Sequence, residues 1–411
     1  MKKKLFVLAV FLLAMTIYFV FYHKDKTLKF VPKNADVIVL VDVKNLTRQY
    51  ISSFVTNPSQ WFGSKKTKEN TISIYESGVK IPDFLQIFHL QNTKFSDWYS
   101  VVELKDKKKF LAFLKQEKFI EKSGNIFQRD NFFVKVEGMS CMFGTADVSF
   151  NEIHKVLFQN SGNDIFNADS FIDGSLGSVS FISATRTRNF SIDVLSDEIE
   201  IKSISTKADF SSLIAKLQQQ NTFLETELDE ENLKNLTSIF DKNMVDSSHI
   251  NYLKATATLE QVNDTIISYG YDDNFNEVEK KTFQKIIQPN YVIALQSSNS
   301  DETEQFFQNK KWINTQNQFT AIPFQPNLIQ KNKNNFEIKS TRKQIPWSPN
   351  LNGNYIFISN NALLLSSLKM LNPNEKKLIS NLDYIFYGNN AQDYFFKLQF
   401  KKEELPLILR W

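Results

Sequence analysis

The sequence predicts an α+β fold: an N-terminal transmembrane helix followed by two similar α+β modules with largely antiparallel sheets covered by helices. Three observations lead there. Residues 5–22 form an unbroken apolar run behind Lys2, Lys3 and Lys4. Two later stretches, one beginning near Tyr99 and one near Tyr291, show the same order of strand and helix patterns. Strand candidates come in adjacent pairs, which suits hairpins and antiparallel pairing.

The apolar run would rise about 27 Å as a helix, close to the roughly 30 Å hydrocarbon core of a bilayer. Signal peptidase needs small residues at its cleavage site, and the run ends in the bulky Ile17, Tyr18, Phe19, Val20, Phe21 and Tyr22. It is therefore expected to remain as a signal-anchor. Lys24, Lys26, Lys29 and Lys33 nearly balance the lysines before the run, so orientation rests on the length of the chain beyond the run, and long domains translocate largely regardless of charge. The expected location is the inner membrane, single-pass through residues 5–22, with the bulk of the chain in the periplasm. Anchor and tether occupy 1–29, the first module 30–215 and the second 216–411.

After the tether, Pro32 and Asn34 mark a turn before an apolar strand over 37–43, and Leu46, Tyr50, Ile51 and Phe54 give a helical spacing. In the first module a strand over 99–104 precedes a helix with Phe110, Leu111, Phe113 and Leu114 inward. Strands over 132–136 and 141–143 follow, then a helix with Ile153, Val156 and Leu157, then closing strands over 179–182 and 190–201. Residues 216–231 are polar, rich in Gln and Glu and helical by propensity, and the domain boundary is placed there. A hairpin over 252–259 and 265–271 would turn at Asn263-Asp264. The second module then repeats the pattern. A strand over 291–295 precedes a helix capped near Ser300-Asp301-Glu302, with strands over 319–322, 336–338 and 355–358, a helix with Leu365, Leu368 and Leu371, and closing strands over 384–387 and 394–400.

Composition describes a globular chain, 42% hydrophobic and 23% charged. Its 38 Phe are read as core residues used where other chains use Leu or Val. The 49 basic and 45 acidic residues leave a net charge of +4, and the only dense basic cluster, 105–109, opens an amphipathic helix, so nucleic acid is not expected as a partner. The single cysteine, Cys141, excludes an intrachain disulfide and lies in an apolar stretch, as a buried small hydrophobe would.

No chemical motif stands out. The four histidines, His23, His89, His154 and His249, never pair at metal-ligand spacing, and neither C-x-x-C nor H-E-x-x-H occurs. Ser340 with Lys343 and Ser366 with Lys369 match S-x-x-K, without the K-T-G or S-D-N that accompanies a serine acyl-enzyme. Asp169 and Asp173 are a weak carboxylate pair, and the Gly174–Gly177 stretch reads as a tight turn. Catalytic, cofactor-binding and metal-ligating residues are accordingly none, and no cofactor is expected.

Val31-Pro32-Lys33-Asn34-Ala35-Asp36, followed by an apolar strand ending Val41-Asp42-Val43-Lys44-Asn45-Leu46, resembles the start of uncharacterised membrane-anchored envelope proteins of the Bacteroidetes. That resemblance implies an N-terminal anchor or lipid, repeated α+β modules and no known active site. The expected function is a non-enzymatic envelope protein that binds a protein or cell-wall partner. Two rivals are a carrier of lipid or another apolar ligand and an enzyme with a dispersed site, which would need a pocket with convergent polar groups.

Overall fold

The computed structural model describes residues 15, 18, 21–58, 73–159, 166–183, 186–204, 209–240, 248–322, 327–347, 351, 353–367, 371, 373–391 and 393–410. Among the described residues no helix is long and apolar enough to cross a membrane. The expected transmembrane signal-anchor, and with it the single-pass inner-membrane and periplasmic placement, is corrected on that finding. Most of residues 5–22 lie outside the described residues, and only Met15, Tyr18, Phe21 and Tyr22 are placed. Two compact units divide the chain: Met1–Ile204 with Glu403–Trp411, and Ser205–Lys402.

The first unit contains β1 (Thr27–Leu28), β2 (Ala35–Asp42), β3 (Phe84–Leu90), β4 (Trp98–Glu103), β5 (Ile120–Ser123), β6 (Ile126–Arg129), β7 (Phe132–Glu137), β8 (Ser140–Gly144), β9 (Phe166–Asn167), β10 (Gly177–Ser183), β11 (Arg186–Val194) and β12 (Glu198–Ser203). β1 pairs only with β9. The others form one antiparallel sheet in the order β12-β11-β10-β2-β3-β4-β8-β7-β6-β5. Alternation sends Ile38, Leu40, Phe88, Tyr99 and Met142 to one buried face. Val102, Leu104, Val136 and Cys141 go to the other, under Phe110 and Leu114 of the helix Lys107–Gln116. Cys141 is fully buried, and burial pushes its thiol far up, so it packs as a hydrophobe.

The second unit contains β13 (Leu224–Asp229), β14 (Ile250–Tyr271), β15 (Glu277–Ser297), β16 (Gln318–Phe319), β17 (Asn327–Asn332), β18 (Asn335–Ser340), β19 (Asn354–Ser359), β20 (Leu382–Asn390) and β21 (Asp393–Phe400). Their antiparallel order is β21-β20-β19-β13-β14-β15-β18-β17-β16. This repeats the first unit position for position: β13 stands where β2 does, β14 and β15 where β3 and β4 do, and β18 and β19 where β8 and β10 do. Helices follow the same strands in both. Val43–Thr56 follows β2 and Glu230–Phe240 follows β13, while Lys107–Gln116 follows β4 and Ser300–Asn309 follows β15.

Helix caps fix the match to the residue. Asp42 ends β2 and accepts a hydrogen bond from the Asn45 amide at 2.9 Å; Asp229 ends β13 and accepts from the Asn232 amide at 2.9 Å. Asp106 and Asn299 cap the second helix of each unit in the same way.

The expected α+β class is corrected to mostly β, at 46% strand and 25% helix. Most consecutive strands join through hairpins, and the helices are short and cover only parts of the sheets; Val43–Thr56 buries none of its side chains. Residues 216–231 are not a helical linker. They hold the end of the helix Ser211–Gln218 and the central strand β13.

Candidate interaction site

Among the described residues, the side chains with chemical potential are engaged in structural hydrogen bonds and ion pairs. Thr93, His89 and Asp36 form a line resembling a nucleophile, base and orienting acid, with Thr93 Oγ1 at 3.2 Å from His89 Nε2 and His89 Nδ1 at 2.6 Å from Asp36. Their protons are committed elsewhere. Nε2 lies 2.9 Å from the Lys94 carbonyl, which can only accept, and the Thr93 hydroxyl donates to the Leu90 carbonyl. The imidazole thus braces the turn between β3 and β4.

Ser340 directs its hydroxyl to the backbone carbonyl of Lys343, not to its amine, and Lys369 lies outside the described residues. Asp169 pairs with Lys26 at 2.8 Å. His154 and His249 lie beside Glu137 and Glu302. Among the described residues no group of three or more His, Cys, Asp or Glu could hold a metal ion. A cleft of about 170 Å³ in the first unit is rimmed by Asp25, Lys29, Lys80 and Glu103, whose charges pair off. It is below the roughly 300 Å³ at which small-molecule sites begin.

The second unit departs from the first at one hairpin. β3 and β4 last pair at His89 and Trp98, and the chain turns there. β14 and β15 instead continue through an unbroken ladder to Tyr271 and Glu277. β13 accompanies β14 only as far as Ala257, and β18 accompanies β15 only from Val292. Beyond those residues each strand runs on for about 45 Å at the usual rise. The helix Ala362–Ser367 packs near the base of this arm. The turn expected at Asn263-Asp264 is absent, since Asn263 pairs with Lys285 and Asp264 with Gln284 in mid-ladder.

The two faces of the arm differ. Opposed residues share a face, so Thr265, Ile267, Tyr269 and Tyr271 lie with Phe283, Lys281, Glu279 and Glu277. The reverse face holds Asp264, Ile266, Ser268 and Gly270 with Gln284, Thr282, Lys280 and Val278. Tyr269, Tyr271 and Phe283 are 67%, 75% and 74% exposed, all on the first face. Phe275, in the connecting turn, is 86% exposed at a φ of +61°. A bulky residue in that left-handed region costs on the order of 1 kcal/mol or more, here without burying the ring in return.

Asp272 holds the turn. Its carboxylate accepts from the backbone amides of Asn276 at 2.8 Å and Asn274 at 2.9 Å, and from the Asn276 side chain at 3.2 Å. These bonds, the Asn276 amide first, keep its carboxyl below the usual value of 3.8. A depressed carboxyl supports structure above its unfolded value and loses it as pH falls through the folded one. Hydrogen-exchange protection at Asn274 and Asn276 is therefore expected to hold from neutral pH down to about pH 4 and to fall in stronger acid. Asp272→Ala is expected to remove that protection already at neutral pH, as NMR exchange would read directly.

A second departure lies in the sheet itself. Where β2 carries the fully buried Ile38 and Leu40, β13 carries Glu225 and Glu227, 1% and 6% exposed. Glu225 accepts from the Thr256 hydroxyl at 3.0 Å, and Tyr252 hydrogen-bonds Glu227. Burial, with Glu227 second, pushes the Tyr252 hydroxyl up to about 12, and burial with both carboxylates raises Tyr355. Neither departure carries a short motif, although the long period-2 stretches on either side of Asp272 were open to reading as one strand pair. No family model, no curated protein and no solved structure matches the chain.

Proposed function

We propose that this chain is a non-enzymatic protein-binding protein whose contact surface is the aromatic face of the β14–β15 arm. The observation that carries this reading is the contrast between the units. The first completes the same strand order with a hairpin that stops at Trp98, so the extension beyond Ala257 and Val292 is not needed to build the sheet. A lone two-stranded ribbon gains little stability in water, and one with three exposed aromatic rings on a single face gains cover from a partner. Aromatic side chains favour protein contacts because they offer large area at low entropic cost. The apolar-ligand carrier fits less well, because the cleft in the first unit is small and charged at its rim.

A photo-crosslinking residue placed at Phe283, on the aromatic face, is expected to form a protein adduct in the native cell. The same residue at Lys280, on the reverse face, is expected to form far less. Equal yields from both positions, or none from either, would refute the assignment.

A further inference from the structure

We infer that the partner of the aromatic face is a second copy of this chain, its arm laid face to face and antiparallel on the first; this rests on reading the arm as a contact surface. Charge arrangement along β15 selects that occupant. On the aromatic face β15 presents Glu277, Glu279, Lys281, Phe283 and Lys285 in turn, acidic toward the tip and basic toward the stem. Lys281 and Glu279 already pair within the strand at 3.0 Å. Glu277 and Lys285 have no ion-pair partner among the described residues and lie eight positions apart, about 26 Å along the strand.

A two-fold axis passing beside the opposed residues Ile267 and Lys281 brings Glu277 of each copy over Lys285 of the other. Both free charges are then met twice. The same operation sets Tyr269 over Thr265, Tyr271 over Asn263 and Phe283 over Glu279, while Lys281, already neutralised by Glu279, meets its own copy at the axis. A parallel two-fold would lay β15 over β14 of the other copy, setting Glu277 over Tyr271 and Lys285 over Asn263 and leaving both charges without a counter-charge.

Strand addition is disfavoured at the β15 edge, where Lys280, Lys281 and Lys285 discourage edge pairing, and contact through the face is what covers the rings of Tyr269, Tyr271 and Phe283 together. Covering Phe283, Tyr269 and Tyr271 removes roughly 430 Å² per copy from the rings alone, at about 200 Å² for each ring less the part already covered. With Thr265, Ile267 and Lys281 on the same face, two copies approach the ~1,200 Å² at which specific interfaces begin. A bilayer is the weaker occupant, since Asp272, Asp273, Glu277 and Glu279 flank Phe275 in the sequence at the tip that would have to enter it.

Sedimentation of the full chain over a concentration series tests the proposal. The unaltered chain is expected to dimerise, while Glu277→Lys and Lys285→Glu each weaken the dimer about tenfold or more. Glu277→Lys combined with Lys285→Glu is expected to restore it, with an unchanged unfolding transition in every variant. Those positions are exposed, so loss of fold does not compete as an explanation. A monomer at all concentrations, a dimer indifferent to the single changes, or a double variant no better than the singles would overturn the pairing. So would binding of the arm to phosphatidylglycerol vesicles in place of self-association. If the pairing fails while Phe283 still crosslinks to a different protein, the contact surface stands and only the occupant is wrong; if both fail, so does the function proposed for the arm.

Discussion

Phe307→Ala is expected to cost the second unit about 3–5 kcal/mol, while Phe275→Ala changes stability by no more than about 0.5 kcal/mol. The two residues belong to one unit and one residue type, so the difference isolates environment. Phe307 is 1% exposed, with the rings of Trp312, Phe336, Phe306 and Phe319 all within about 6 Å of its own. Truncation there removes a transfer contribution and leaves a cavity that four rigid neighbours cannot close. Phe275 stands in solvent at the turn. Its removal also relieves little backbone strain, because alanine at a positive φ is no better placed. Denaturant titration, read on the transition of the second unit, separates the two changes. If dimerisation fails in Phe275→Ala while stability holds, the exposed ring is assigned to binding and the buried one to folding.

Local signals were legible where chain neighbours decide the structure. The strand near Tyr99 followed by a helix with Phe110 and Leu114 inward, and the strand near Tyr291 followed by a helix with Phe307 inward, follow directly from apolar spacing and a polar cap. What the spacing could not supply was register. Equal distances to the caps Asp106 and Asn299 align Tyr99 with Val292, so starting the two stretches from their tyrosines is one residue out. A slip of one residue exchanges the faces of a strand.

Later in the modules the pattern gives two strands, 132–136 and 141–143, in one and three, 319–322, 336–338 and 355–358, in the other, with no strand-to-strand match. Hydrogen bonding puts β18 where β8 stands and β19 where β10 stands. The clearer sign of the repeat was Asp42-x-x-Asn45-Leu46 against Asp229-x-x-Asn232-Leu233, a strand-end carboxylate capping the next helix. Helical propensity over 216–231 masks it. The β13 strand within it is stabilised by neighbours on both sides that are distant in sequence.

The arm was hidden for a related reason. Asn263-Asp264 has the composition of a tight turn, but cross-strand pairing on both sides outweighs that local preference. The chain turns at 272–276 instead, where one carboxylate satisfies two backbone amides. Composition alone also could not assign the 38 Phe to separate roles. Many sit in the cores, as expected, while Phe275 and Phe283 are displayed.

Ile38→Glu is expected to cost the first unit about 3–5 kcal/mol or more and to unfold it under mild denaturant, although a glutamate occupies the corresponding position of the second unit. The reason is what surrounds each site. Ile38 is fully buried beside Phe88 and Ser180, within a cluster that includes Leu28, Leu40 and Tyr99. A carboxylate there would find the small hydroxyls of Ser180 and Ser178 but no cation, amid a mainly hydrocarbon cluster, and would keep most of its desolvation cost. At the matching place β13 offers Glu225 the hydroxyl of Thr256, with Lys254, Tyr252 and Tyr355 on the adjoining strands. Because acceptor geometry survives in the amide, Glu225→Gln is expected to shift stability by about 1 kcal/mol or less. Comparing the two transitions by urea titration tests the residue-level match between the units as well as the energetics. A well-tolerated Ile38→Glu would mean that β2 and β13 are not equivalent in their surroundings, and that the polar cluster around Glu225 is incidental. A severe loss at Ile38 with little change at Glu225 would show that the second unit has rebuilt its neighbours around a buried charge that the first unit cannot hold.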